Sequence, residues 1–254
     1  MIEVTDLRKS FNGVEVLKGI SATFNNGKTN MIIGQSGSGK TVFLKCLLGL
    51  HIPDSGSIMF GGRKHANLDI EQQRQLRQEI GMVFQGGALY DSLTVEENVM
   101  FPLKMFTRDS YKDMQKRVNF VLDRVNLVDA NNKFPAEISG GMQKRVAIAR
   151  AIVMRPKYLF CDEPNSGLDP NTAIVIDNLI HEITKEYDII TVINSHDMNS
   201  VMEIGEKIVF LKNGVKAWEG SNKEIFKTEN EAIVNFVYSS NLFRKVKEAY
   251  VREN

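Results

Sequence analysis

Cysteine is nearly missing from this 254-residue chain, with only Cys46 and Cys161 present, and both stand among apolar neighbours. That excludes a disulfide scaffold and predicts two buried free thiols. An excess of charge is missing too: 32 Lys+Arg face 31 Asp+Glu, a formal net charge of +1. Such a balance argues against broad electrostatic binding to a nucleic-acid backbone or to anionic lipid and leaves room only for a local patch. No apolar run approaches the roughly 20 residues that a spanning helix needs. The N-terminus (Met1-Ile2-Glu3-Val4-Thr5-Asp6) lacks the basic and apolar regions of a signal peptide. Internal repeats, low-complexity tracts and long linkers are absent as well. With 43% hydrophobic and 25% charged residues, these bulk measures predict a soluble cytoplasmic globular protein able to bury a sizeable core.

What is present is an alternation of strand and helix signals. Ile2/Val4, Val14/Val16 and Ile20/Ala22/Phe24 alternate between turns at Asn12-Gly13 and Asn25-Asn26-Gly27, which predicts antiparallel strands over 2–24. Met31-Ile32-Ile33 reads as a short strand, the stretch from Thr41 to about Leu50 as a helix, and Ser57–Phe60 as another strand. Val118, Val121, Leu122 and Val125 share one helical face, predicting a helix over 111–128. Met142–Met154 is a further helix, stopped by Arg155-Pro156. Tyr158–Cys161 and Ile189–Ile193 are continuous apolar runs of the kind buried in parallel sheets.

Between the Met31–Ile33 strand and the next helix lies Gly34-Gln35-Ser36-Gly37-Ser38-Gly39-Lys40-Thr41, which matches G-x-x-x-x-G-K-[ST]. The glycines allow consecutive backbone N–H groups to converge on phosphate oxygens at a helix start. Lys40 can reach the β- and γ-phosphates, and the Thr41 hydroxyl can ligate Mg²⁺. A second element, Tyr158-Leu159-Phe160-Cys161-Asp162-Glu163, is a buried strand closing on two carboxylates. Asp162 is the candidate for holding Mg²⁺ through water, and Glu163 for polarising an attacking water. Ser139-Gly140-Gly141 opens a helix, with Ser139 able to cap it and the glycines leaving N–H groups bare, a second candidate anion-binding start.

Taken together these motifs resemble the ATP-binding-cassette family over roughly residues 2–224. The resemblance implies an α/β fold with a P-loop NTPase (RecA-like) core, an N-terminal antiparallel β-subdomain and an inserted α-helical subdomain at about 88–156. It implies a nucleotide-binding domain over 1–224 and a C-terminal helical extension over 225–254. ATP and Mg²⁺ are the implied cofactors, and the implied assembly is two copies sandwiching two ATP. In that assembly Ser139, Gly140 and Gly141 of one copy close over the phosphate loop of the other.

The remaining family positions occur in order. Phe11 stands where an aromatic residue stacks on adenine and Val16 beside it, although alone Phe11 also suits a core position. Gln85 stands where the family's glutamine touches Mg²⁺ and the attacking water, followed by the flexible pair Gly86-Gly87. Ser166-Gly167-Leu168-Asp169 matches the loop crossing the dimer interface, and His196 matches the histidine at the γ-phosphate, where a lone histidine would more often belong to the core. Met142 replaces the usual glutamine and Asn165 the usual Ser/Thr.

A narrower resemblance, over Phe84–Val99, Phe101-Pro102-Leu103 and Ser139-Gly140-Gly141-Met142 followed by Lys144-Arg145, is to ATPases of phospholipid-trafficking (Mla-type) transporters. It implies a separate integral-membrane permease, a periplasmic lipid-binding protein and an accessory cytoplasmic subunit as partners, no nucleic acid, and a peripheral location on the inner face of the inner membrane. An importer or exporter of another substrate, or a soluble cassette in metal-cluster assembly, is the alternative. A small GTPase is excluded, because Asn132-Lys133-Phe134-Pro135 fails the guanine-reading Asn-Lys-x-Asp. Beyond Gly220, Ile233/Phe236/Val237 form one candidate helical face and Leu242/Phe243/Val246/Tyr250 another. Packing on the chain's own core, contact with a second ATPase or accessory subunit, and membrane-surface binding remain open for that tail.

Overall fold

The computed structural model describes residues 1–238, which divide into two compact units, one of residues 1–68 with the chain from Val192 onward, the other of residues 69–191. The candidate faces at Leu242, Phe243, Val246 and Tyr250 lie outside the described residues. The chain is α/β, with an antiparallel sheet near the N-terminus and parallel strand pairs after it, as expected.

In the first unit β1 (Ile2–Phe11) and β2 (Val14–Phe24) form a hairpin in which Ile2 faces Phe24 and Phe11 faces Val14. Asn12 and Gly13 turn it with φ of 50° and 79°, the paired positive values that a two-residue hairpin of this twist requires. β3 (Thr29–Ile33) is buried along its whole length and leads to α1 (Lys40–Leu47). That helix stops earlier than the sequence suggests, because Gly49 turns left-handed (φ 70°) and a Cβ there would lie 2.7 Å from the His65 ring. β4 (Ser55–Phe60) pairs with β1, and β5 (Arg63–Lys64) continues the sheet. Ile2, Leu7, Leu17, Ile20, Phe24 and Phe60 are all fully buried in the unit.

The second unit holds most of the helices. α2 (Ile70–Gln78), absent from the sequence reading, is started by a reciprocal capping box between Asp69 and Gln72. β6 (Ile80–Val83) is followed by α3 (Val95–Phe106), α4 (Tyr111–Arg124) and α5 (Gly140–Ile152). The expected face Val118/Val121/Leu122/Val125 is buried. α4 itself ends four residues short of the expected 128, where Asn126 takes φ 55°. β7 (Tyr158–Asp162) runs parallel to β6, with Val83 beside Cys161, and α6 (Pro170–Glu186) follows.

β8 (Ile190–Asn194) straddles the division of the chain. Its first residue donates to Lys157 O at 3.1 Å within the second unit, and Ser195 just after it donates to Ile32 O at 3.1 Å within the first. α7 (Met198–Ile204), β9 (Lys207–Lys212), β10 (Val215–Gly220), α8 (Asn222–Ile225) and α9 (Glu231–Val237) complete the described chain. β9 runs parallel to β3 and antiparallel to β10. Ile233 and Val237 are buried and Phe236 packs on Phe210 with ring centroids 5.0 Å apart, so the first face of the C-terminal segment serves the chain's own core. Among the described residues no helix is long and apolar enough to cross a membrane.

Candidate functional site

The glycine-rich loop occupies the turn between β3 and α1. Gly34, Gly37 and Gly39 have φ of 152°, 79° and 102°, and only a residue without Cβ sits at ease there. At Gly34 the reason is also steric, since a Cβ would fall 2.3 Å from Leu211 O and 2.6 Å from Ser38 Oγ. Val16 lies against the loop through its carbonyl, 3.3 Å from where a Cβ of Gly39 would be. The loop curls around the Lys40 ammonium, which donates to Gly34 O at 2.9 Å and to Gln35 O at 3.2 Å. Lys40 is only 7% exposed.

Three observations fit this cradle to a phosphate and a hard cation. Ser38 Oγ is buried with no hydrogen-bond partner, a donor with nothing to satisfy it inside the chain. Lys40 brings a cation into the loop mouth. The Thr41 hydroxyl accepts from Asn194 Nδ2 at 3.4 Å, placing an amide beside the hydroxyl expected to ligate the metal.

His196 lies two residues past the end of β8 and is exposed. Phe11 is 38% exposed at the hairpin tip, with the His51 ring edge-on at 5.2 Å and the Lys9 ammonium 5.3 Å from its ring centre. His51 therefore has a place beside the candidate stacking residue that sequence reasoning missed. A second unforeseen neighbour is α9. Asn235 and Phe236 border a recess of about 120 Å³ together with Gln35, Ser36, Lys212 and Asn213.

In the second unit the acidic residues close β7. Asp162 is its last residue, and Glu163 takes φ 48°, a left-handed value that a side chain of its kind rarely adopts. Gln85 Nε2 donates to Glu163 Oε2 at 2.9 Å and lies 3.4 Å from Ser166 Oγ. The backbone carbonyl of Gln85 accepts from the Lys144 ammonium. Lys144 is only 7% exposed, and sequence reasoning, which noted it only within the motif, gave it no role at the site. The available signal was its position three, four and seven residues before Ala147, Ile148 and Ala151 on the buried side of α5.

Ser139 caps α5, accepting from Met142 N at 3.3 Å. Gly141 has no room for a side chain, as a Cβ would lie 2.7 Å from Thr172 Cγ2. Gly140 is limited only by ordinary contact with Leu168 at 3.8 Å. Asp169 caps α6, taking the amides of Asn171 and Thr172 at 3.1 Å each and the Thr172 hydroxyl at 2.5 Å. The Thr172 hydroxyl, ahead of the two amides, holds the Asp169 carboxyl below its usual range. Asn165 reaches the buried Asp177 carboxylate at 3.2 Å, which accounts for an amide where a shorter hydroxyl is usual: it spans from the loop to α6.

A profile of the family described as ABC transporter matches residues 17–166. A methionine import ATP-binding protein of Clostridium tetani is 38% identical over 226 residues, covering 89% of this chain and 71% of that protein. An octopine permease ATP-binding protein of Rhizobium meliloti is 37% identical over 236 residues, covering 89% of each. Among solved structures, a dimeric ATP-binding cassette in a post-hydrolysis state bound to ADP and Pi superposes with a TM-score of 0.79 at 31% identity, over 87% of this chain and 99% of that one.

Proposed function

The chain belongs to the ABC transporter family as an ATP-hydrolysing subunit that uses Mg²⁺, and on that premise we propose that it drives a separate permease by closing as a dimer over two ATP. The observation carrying the reading is the loop of Gly34–Thr41 wrapped around Lys40, with the unsatisfied Ser38 hydroxyl inside it. Loop amides, Lys40 and Ser38 bind the phosphates. Thr41 would ligate Mg²⁺, Asp162 would hold it through water and Gln85 would touch it, and the bound metal would offset charge on the phosphate oxygens. Glu163 accepts the proton of the attacking water, Gln85 orients Glu163, and His196 contacts the γ-phosphate. Phe11 and Val16 receive the adenine, while Ser139, Gly140, Gly141 and the Asp169 loop serve the partner's nucleotide. The helical subdomain at about 88–156 and the segment over 225–254 are proposed subdivisions of the same chain.

For cargo the reading is a phospholipid, supported by the residue pattern of Phe84–Leu103 and by Met142. The docking surface for a permease is a cleft of about 420 Å³ in the second unit, lined by residues that include Ile80, Phe84, Tyr90, Phe101, Pro102 and Met105. Phe84, Tyr90 and Met105 are 42%, 46% and 56% exposed, a concentration of apolar surface suited to a partner helix. The names of the relatives favour a second reading, an importer of a small polar solute. The test is to purify the chain from membranes with its permease, reconstitute the complex in phospholipid nanodiscs, and follow lipid transfer and ATP turnover. ATP-dependent phospholipid transfer is expected. Turnover stimulated by methionine or octopine with no lipid movement sinks the lipid reading, and a stable soluble complex without any membrane protein sinks transport itself.

A further inference from the structure

A buried lysine on a helix is costly, because its ammonium leaves water. Desolvation pushes the Lys144 pKa down, with the Glu163 carboxylate acting in the opposite direction. The apolar stripe of α5 at Ala147, Ile148 and Ala151 would accept a methionine at 144 with no such cost, so packing does not account for the charge. The ammonium instead donates to the Gln85 carbonyl, while the Gln85 side chain donates to Glu163 at 2.9 Å and Ser166 lies 3.4 Å away. Arg150 of the same helix ties the carbonyls of Gly87 and Ala88 at 2.7 Å each. Lys144 is therefore the tie on Gln85 itself, which is joined to that anchored stretch through Gly86, where a Cβ would meet nothing within 4 Å. Backbone of that kind does not stay in one conformation by its own sterics.

We propose that Lys144 is a positioning residue for hydrolysis: from the helix that opens with Ser139-Gly140-Gly141, it pins the backbone of Gln85 and thereby the carboxylate of Glu163. The inference rests on Glu163 being the base. Lys144 touches neither the water nor the phosphate in this account and acts through Gln85. Because α5 starts with the segment assigned to the partner's nucleotide, one helix then carries both a contact to the second ATP and the brace for its own base.

The test compares the full chain with Lys144→Met and Lys144→Arg. Lys144→Met should lower kcat on the order of 10- to 100-fold, the effect of a misplaced catalytic group. KM and equilibrium ATP binding should stay within about twofold. In nucleotide-free protein, amide hydrogen exchange should accelerate over residues 85–88 and not along α5, and Lys144→Arg should restore most of both. Unchanged kcat or unchanged exchange at 85–88 in Lys144→Met overturns the proposal. So does faster exchange throughout α5, which marks a merely structural role, or an arginine variant as slow as the methionine one. Glu163→Gln run alongside separates the two ideas: near-normal turnover there removes Glu163 as the base, while the exchange readout still reports whether Lys144 holds Gln85.

Discussion

The side-chain amide of Gln85 donates to Oε2 of Glu163 at 2.9 Å, joining residues 78 positions apart in the chain. One sits just past β6 and the other just past β7, two neighbouring parallel strands. A carboxylate accepting an amide donor is held in one orientation, as a proposed general base needs to be.

Glu163→Gln conserves the size and an acceptor oxygen for Gln85 but removes the proposed base. ATP hydrolysis should fall at least about 100-fold, in line with general-base effects, while ATP binding persists and the dimer accumulates with ATP. Steady-state turnover and size-exclusion chromatography check it. Turnover near wild type contradicts the assignment.

Asn165→Ala should destabilise the chain. Asn165 and Asp177 are 9% and 3% exposed, and the substitution leaves a buried carboxylate one donor poorer, a loss of about 1–3 kcal/mol. Asn165→Asp should cost more, since it sets a second carboxylate against the first. Urea denaturation midpoints for the two variants give the order directly, and equal midpoints contradict it.

Both cysteines should be inert in the native chain. Desolvation pushes the Cys46 thiol up from 9.0 to about 11, and the fully buried Cys161 is pushed higher still. At pH 8 the Cys46 thiolate fraction is then on the order of one in a thousand. A thiol-reactive disulfide reagent should consume no equivalent in native protein and two after denaturation. The raised folded pKa also sets a sign: this contribution to stability is complete below pH 9 and is lost as pH rises towards 11. A denaturation midpoint that rises over that window contradicts the shift.

Much of this was legible in the sequence where one short segment carries its own explanation. Gly34–Thr41 states its function through spacing, and the Val118/Val121/Leu122/Val125 face lies buried as its periodicity predicts. Asn12-Gly13 marks its hairpin because positive φ at both positions needs such residues. What stayed hidden depends on chain separation. Lys144 and Gln85 are 59 residues apart, and Phe11 and His51 meet only because the β1–β2 hairpin returns beside the chain that follows α1. Helix ends were overestimated for a related reason, since Gly49 and Asn126 end helices through backbone conformations that apolar periodicity does not register.

The left-handed backbone of Glu163 has a consequence for how this chain can change under selection. A glycine at 163 would relieve a conformation that costs a side chain about 1–2 kcal/mol, so selection for thermal tolerance alone should drift towards Glu163→Gly. A lineage that did so would gain robustness and lose the acid placed at the end of β7. With Glu163 as the proposed base, a relative carrying glycine there would be a cassette that still binds nucleotide but no longer uses it.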